Sequence, residues 1–121
     1  MKERFDEKSG DLYVWITHEE FEKEDTGIPG PIIGRLVNQS KNIVVILSRT
    51  PNGVQANTYI EVLVNDNEDG GKTWTNFAIN LSPDSWEELG RRKWTRDRYG
   101  LGQKVTVLIG DPKVEGLDAI Y

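Results

Sequence analysis

The hydrophobic residues of this chain occur in short runs that end at glycine, proline, asparagine or aspartate, a spacing typical of β-rich domains. Five consecutive apolar residues at 43–47 favour a central strand that is covered on both faces. In 57–65 and 72–81 the apolar residues alternate with others, which favours strands with one face in the core. Strands are also predicted at 12–17, 31–37 and 103–110.

One segment carries the signals that begin an α-helix. Ser82 can cap the first turn, and Pro83 suits the first helical position, where its missing N–H costs nothing. The helix is predicted over about residues 83–92, with Gly90 either ending it or lying within it. The sequence therefore predicts a mainly β protein, either a single antiparallel β-sandwich or an open barrel, with about six strands and one short helix.

The length of 121 residues fits one domain, 1–121, and the charged residues 1–10 allow for a flexible N-terminal tail. No apolar run reaches the roughly 18 to 20 residues of a membrane helix, and the N-terminus lacks the apolar region of a signal peptide. The absence of cysteine excludes disulfides, thiolate zinc sites and cysteine nucleophiles. We therefore expect a soluble, acidic protein with no membrane partner, compatible with the cytoplasm.

The formal net charge of −5 is segregated along the chain. Residues 18–25 carry a net charge of −4, from five acids and one lysine, whereas residues 91–100 carry +4, from five cations and one aspartate. Because cations bind phosphate oxygens and aromatic rings stack on bases, the basic segment fits contact with single-stranded nucleic acid or another polyanion. The candidate ligand-binding residues are Arg91, Arg92, Lys93, Trp94, Arg96, Arg98, Tyr99 and Lys104.

A second interpretation places the same charges in internal ion pairs. Glu87 and Glu88 each precede an arginine by four residues, the favourable order on a helix. The other cations could pair with the acidic run 19–25 of the same or another copy, and the two aromatic residues could lie in the core. The residues concerned are Lys93, Arg96, Arg98, Trp94 and Tyr99. The acidic run and exposed aromatic residues would then serve a small protein-binding or inhibitor-type module.

The stretch NEDGGKTW, Asn67 to Trp74, resembles the Asp box of sialidases and related propellers, which reads Ser/Thr-x-Asp-x-Gly-x-Thr-Trp/Phe. It matches at Asp69, Gly71, Thr73 and Trp74 and departs at Asn67, where the box has a hydroxyl residue. The resemblance implies a structural turn that joins two antiparallel strands. It covers eight residues, and a propeller needs several four-stranded blades, so no sialidase activity is implied.

Two ligands remain as alternatives for this region. Asn65, Asn67 and Asp69 occupy the first, third and fifth positions of a calcium loop, although Asn76 stands where the closing glutamate belongs. Trp74 shares a strand face with Asn76, as expected of a carbohydrate-binding surface, or it covers its own turn.

Signatures of catalysis are weak in this sequence. His18 is the single histidine, so a zinc site would depend on carboxylates alone, and no Gly-x-Ser-x-Gly elbow supports a triad. The glycines of 100–104 lead into a strand and lack phosphate-loop spacing. A carboxylate pair of the glycosidase type stays open, because sequence does not fix the distances between acids. We expect a non-catalytic binding protein without a cofactor, with the polyanion site preferred.

Overall fold

The computed structural model describes residues 1–28, 31–39, 41–48, 59–65, 74–99 and 104–110. The strands are β1 (Lys2–Asp6), β2 (Asp11–Ile16), β3 (Asn42–Ser48), β4 (Tyr59–Asn65), β5 (Trp74–Asn80) and β6 (Lys104–Ile109). The helices are α1 (His18–Lys23), α2 (Pro31–Asn38), α3 (Pro83–Arg91) and α4 (Lys93–Tyr99).

The six strands form one open sheet in the order β1-β2-β6-β3-β4-β5. Four of the five pairings are antiparallel, and β2 pairs with β6 in parallel. The prediction of a mainly β fold with about six strands is confirmed. β3 is flanked by β6 and β4, in agreement with the central position that its apolar run predicted.

The core lies between the sheet and the helices. Alternate residues of the strands bury their side chains there, as period-two geometry requires. They meet apolar residues of α2, α3 and α4, so helices supply the layer that a second sheet would supply in a sandwich. The buried set comprises Leu12, Val14, Ile16, Ile33, Val37, Ile43, Val45, Leu47, Ile60, Val62, Leu81, Leu89, Trp94, Val105, Val107 and Ile109.

The segment 31–37, predicted to be a strand, is helix α2, and this prediction is wrong. Ile33 and Val37 are buried while Arg35, which would share their face in a strand, is exposed, so the burial follows the i, i+4 pattern of a helical face. Short apolar segments fit both periods, and packing against the sheet decides between them.

Helix α1 was also absent from the sequence prediction. Thr17 caps it, because its hydroxyl accepts from the backbone N–H of Glu20 while the Glu20 carboxylate accepts from the N–H of Thr17. Helix α3 begins as predicted, with the Ser82 hydroxyl accepting from the N–H of Ser85 at 3.2 Å. It runs through Gly90, and α4 follows almost at once.

The first ten residues contain strand β1, which forms a hairpin with β2. The Asp6 carboxylate accepts from the backbone N–H of Lys8 at 2.9 Å, which closes the turn, and Gly10 supplies a φ of 74°. The segment for which the sequence allowed a flexible tail therefore provides one edge of the sheet.

Candidate functional site

The basic segment forms the corner between α3 and α4, and its first two arginines are held in ion pairs. Arg91 lies 3.4 Å from Glu87 and 3.3 Å from Glu88. Arg92 lies 2.8 Å from Glu88 and 3.0 Å from Asp25. Both helical pairs that the spacing predicted are confirmed, and Arg92 also ties α3 to the end of the acidic run.

The later cations of the segment have partners other than the predicted acidic run. Lys93 lies 2.5 Å from Asp97 on its own helix, and this hydrogen bond lowers the pKa of the Asp97 carboxyl. Arg98 donates to the Trp94 carbonyl at 2.8 Å and to the Glu3 carboxylate on β1. Lys93 and Arg98 therefore do not pair with residues 19–25 of their own copy, because nearer carboxylates hold both.

Trp94 is only 7% exposed and belongs to the core. The Arg98 guanidinium covers the ring, 4.2 Å from its centroid, in a cation–π contact. The ring is consequently closed to a nucleobase in this conformation. The Tyr99 side chain lies outside the described part of the structure.

Two candidate cations are exposed and have no ion pair within the described ranges. Arg96 lies on α4, and Lys104 begins β6. The sequence grouped eight residues as one site. Apart from Tyr99, the structure divides them into paired cations, a core tryptophan and these two exposed cations.

The acidic run forms α1 and the coil that follows it. Glu19 lies 3.0 Å from Lys23, and Glu20 lies 2.6 Å from the N-terminal ammonium group. The ammonium hydrogen bond, with the backbone and hydroxyl of Thr17, lowers the pKa of Glu20 to about 2. Asp25 pairs with Arg92. Glu22 and Glu24 are exposed and have no ion pair among the described residues.

A groove of about 370 Å³ lies between the end of α1 and helix α2. Apolar side chains and carboxylates line it together, and we call it the acidic groove. Its apolar residues include Phe21, Ile28 and Val37, and its acids are Glu22, Glu24 and Asp25.

Contacts with α3 and α4 fix one wall of the acidic groove. Thr26 is buried, and its carbonyl accepts a hydrogen bond from the Thr95 hydroxyl. Gly27 has a φ of +71° and lies so close to Arg92 that a Cβ there would fall 2.3 Å from the Arg92 Cγ. The groove was not predicted from the sequence. The available signal was a phenylalanine among five acids, followed by a turn rich in glycine and proline.

The secondary candidates lie on the sheet face opposite the described helices. Trp74 is half-buried against Val44 and Leu108, and Asn76 is exposed on the same face of β5, as the alternation predicted. Among the calcium candidates, Asn65 is buried at the end of β4. Asn67 and Asp69 lie outside the described residues, together with most of the Asp-box-like stretch.

Across the described ranges, no group of three or more histidine, aspartate or glutamate residues is placed to hold a metal ion. His18 donates from Nε2 to the Lys41 carbonyl at 2.7 Å, which links the start of α1 to the start of β3. None of the helices in the described segments combines the length and the apolar character needed to cross a membrane.

Comparisons with protein-family models, curated proteins and solved structures gave no match. The geometry of the chain itself is therefore the basis for a functional proposal.

Proposed function

We propose that this chain is a non-catalytic protein-binding module that takes a basic and apolar segment of a partner protein into the acidic groove. The main support for the proposal is that some carboxylates of the acidic run form ion pairs and others do not. Glu19, Glu20 and Asp25 have internal partners, whereas Glu22 and Glu24 lie exposed beside apolar groove residues without an ion pair in the described structure.

The two kinds of lining would contribute differently to binding. Phe21 and Ile28 are half-buried and offer apolar surface, whose burial stabilises a complex by about 25 cal/mol per Å². The carboxylates would attract cations at long range and reject acidic competitors, so that charge sets specificity and association rate. A volume of about 370 Å³ is at the small end of ligand pockets, which suits one or two side chains of an extended segment.

The fixed wall also supports this proposal. Because Thr26 is tied to α4 and Asp25 to Arg92, the backbone beside Glu24 is ordered before a ligand arrives. Preorganisation reduces the conformational entropy that binding would otherwise cost.

The test compares three labelled peptides by fluorescence anisotropy: one of lysine and leucine, one of glutamate and leucine, and one of lysine and serine. We expect that only the lysine–leucine peptide binds. In NMR spectra of the protein, the chemical-shift changes caused by this peptide should centre on Phe21 and Ile28. The double variant Glu22→Gln/Glu24→Gln should weaken binding by about tenfold, since two exposed charge contacts at roughly 0.7 kcal/mol each amount to about 1.4 kcal/mol.

A matched control removes two charges elsewhere. Glu7→Gln/Glu87→Gln changes the net charge equally at exposed positions outside the groove lining and should bind as the parent does. Equal weakening by the control would show that net charge alone drives binding. Failure of the lysine–leucine peptide to bind the parent protein would remove the proposal.

Polyanion binding at α4 is a second candidate, supported by the exposure of Arg96 and Lys104. The ion pairs of Arg91 and Lys93 are also exposed, and exposed pairs contribute about 0–1 kcal/mol, so a phosphate could displace their carboxylates. Single-stranded oligonucleotide affinity should then fall steeply with salt. Arg96→Ala/Lys104→Ala should flatten the logarithmic slope by about 1.4, or about 0.7 for each lost phosphate contact. Absence of binding at low salt would exclude this candidate.

A further inference from the structure

The two edges of the sheet differ in chemistry. Strand β1 is charged at four of its five residues, Lys2, Glu3, Arg4 and Asp6. Strand β5, Trp-Thr-Asn-Phe-Ala-Ile-Asn, has seven residues and contains no charge, proline or glycine. Proteins ordinarily protect edge strands with charges, proline or bulges, because an open edge presents unpaired N–H and C=O groups to other strands. The β1 edge has such protection and the β5 edge does not.

The β5 edge is also accessible. Thr75, Asn76, Ala78 and Asn80 are exposed, so both faces of this strand reach solvent. Among the described strands, β5 pairs with β4 alone. Half of its backbone hydrogen-bonding groups point away from β4, and no other described strand pairs with them.

We infer that β5 is a dimerisation strand, which pairs with β5 of a second copy of this chain in antiparallel orientation about a two-fold axis at Phe77. In this register Phe77 faces its own counterpart, Asn76 faces Ala78 of the other copy, and Thr75 faces Ile79. Trp74 faces Asn80. The pairing joins two six-stranded sheets into one continuous sheet.

The sequence of β5 suits a second copy as the occupant. In an isologous pairing the two-fold axis repeats every contact except the one that lies on the axis. A strand with several charges of one sign would therefore bring like charges together more than once. Strand β5 has none. Phe77 and Ile79 are half-buried along the helical layer, and the pairing would cover more of their apolar surface.

The protected β1 edge explains why assembly would stop at two copies. In the described sheet β5 is the one unprotected edge, so pairing through β5 uses it in both partners and leaves the charged β1 edges outside. The interface consists of one seven-residue strand from each copy, so we expect a weak and concentration-dependent dimer.

The experiment is sedimentation velocity on the full chain over about 5–500 µM, with charges placed at two exposed positions of β5. Asn76→Lys/Ala78→Lys brings two pairs of lysines face to face in the proposed register. At up to 1 kcal/mol for each pair, dissociation should increase by about tenfold or more. Asn76→Glu/Ala78→Lys places opposite charges face to face and should dimerise at least as well as the parent.

Two further samples test the register and control for charge. Mixing the double-lysine variant with Asn76→Glu/Ala78→Glu should yield a heterodimer, although each variant alone is largely monomeric. Glu7→Gln/Gln39→Lys adds the same two positive charges at exposed positions outside β5 and should dimerise as the parent does. The inference is overturned if the parent chain stays monomeric at all of these concentrations. It is also overturned if the double-lysine variant dimerises as well as the parent does.

Discussion

Replacement of Gly27 by alanine probes the close packing between the acidic groove and the α3–α4 corner. The residue has a φ of +71°, and an added Cβ would lie 2.3 Å from Cγ and 3.2 Å from Cβ of Arg92. Contacts below 3.0 Å are not tolerated, so Arg92 must move. Its movement would disturb the ion pairs that it makes with Asp25 and Glu88.

The expected cost has two parts. A left-handed backbone costs a non-glycine residue about 1–2 kcal/mol. Displacement of Arg92 adds about 1 kcal/mol, because both of its pairs are partly exposed and exposed pairs contribute about 0–1 kcal/mol each. Gly27→Ala should therefore lower the free energy of unfolding by about 2–3 kcal/mol.

Urea denaturation followed by tryptophan fluorescence measures this change. With a slope of about 2 kcal/mol per M, the unfolding midpoint should fall by about 1–1.5 M. A matched control is Gly34→Ala, which lies within α2 with nothing within 4 Å of the added Cβ. It should raise stability by about 0.5–1 kcal/mol through helix propensity and reduced unfolded-state entropy.

A double-mutant cycle separates the two parts of the cost. In an Arg92→Ala background the nearest obstructing atoms are gone, so Gly27→Ala should cost only the backbone part, about 1–2 kcal/mol. The proposed close packing would be refuted if the cost were the same in both backgrounds. A cost below about 0.5 kcal/mol in the parent would refute the left-handed conformation as well.

Three other predictions concern the core, a helix cap and pH. Trp94→Ala should lower the free energy of unfolding by about 3–5 kcal/mol in urea titrations, since a buried indole leaves a large cavity, and a loss below 1 kcal/mol would contradict its burial. Ser82→Ala should cost about 1 kcal/mol by losing the α3 cap, whereas Ser82→Asp should retain most of the stability. The pKa of Glu20 is lowered to about 2, below its ordinary 4.5, so its stabilisation is present above pH 4.5 and is lost as the pH falls towards 2. Glu20→Gln should therefore lose less stability than the parent between pH 4.5 and pH 2, and parallel losses would contradict the ion pair with the N-terminus.

Local signals predicted the sheet well. The five apolar residues at 43–47 indicated a central strand, because a strand covered on both faces is typically an unbroken apolar run. The alternation in β4 and β5 correctly separated the core-facing Phe77 from Trp74 on the opposite face. Ser82 and Pro83 located the start of α3, because capping depends on adjacent residues alone.

Tertiary contacts determine the features of the fold and of the candidate site that local sequence patterns did not predict. Strand and helix patterns coincide in 31–37, and α2 forms because Ile33 and Val37 meet the sheet from one helical face. The spacing of Glu88 and Arg92 revealed their ion pair, but Asp25 reaches Arg92 only through the fold. Burial of Trp94 and the acidic groove likewise depend on how helices pack together, which no local pattern contains.

The central place of β6 has a consequence for synthesis on the ribosome. This strand lies between β2 and β3, and among the described strands it alone hydrogen-bonds the β1–β2 hairpin to β3–β4–β5. It is also translated after all of them. Until Lys104–Ile109 leaves the exit tunnel, the nascent chain carries two separate strand groups with open inner edges at β2 and β3. Such edges invite mispairing, so chaperone protection would matter most during the interval before β6 closes the gap.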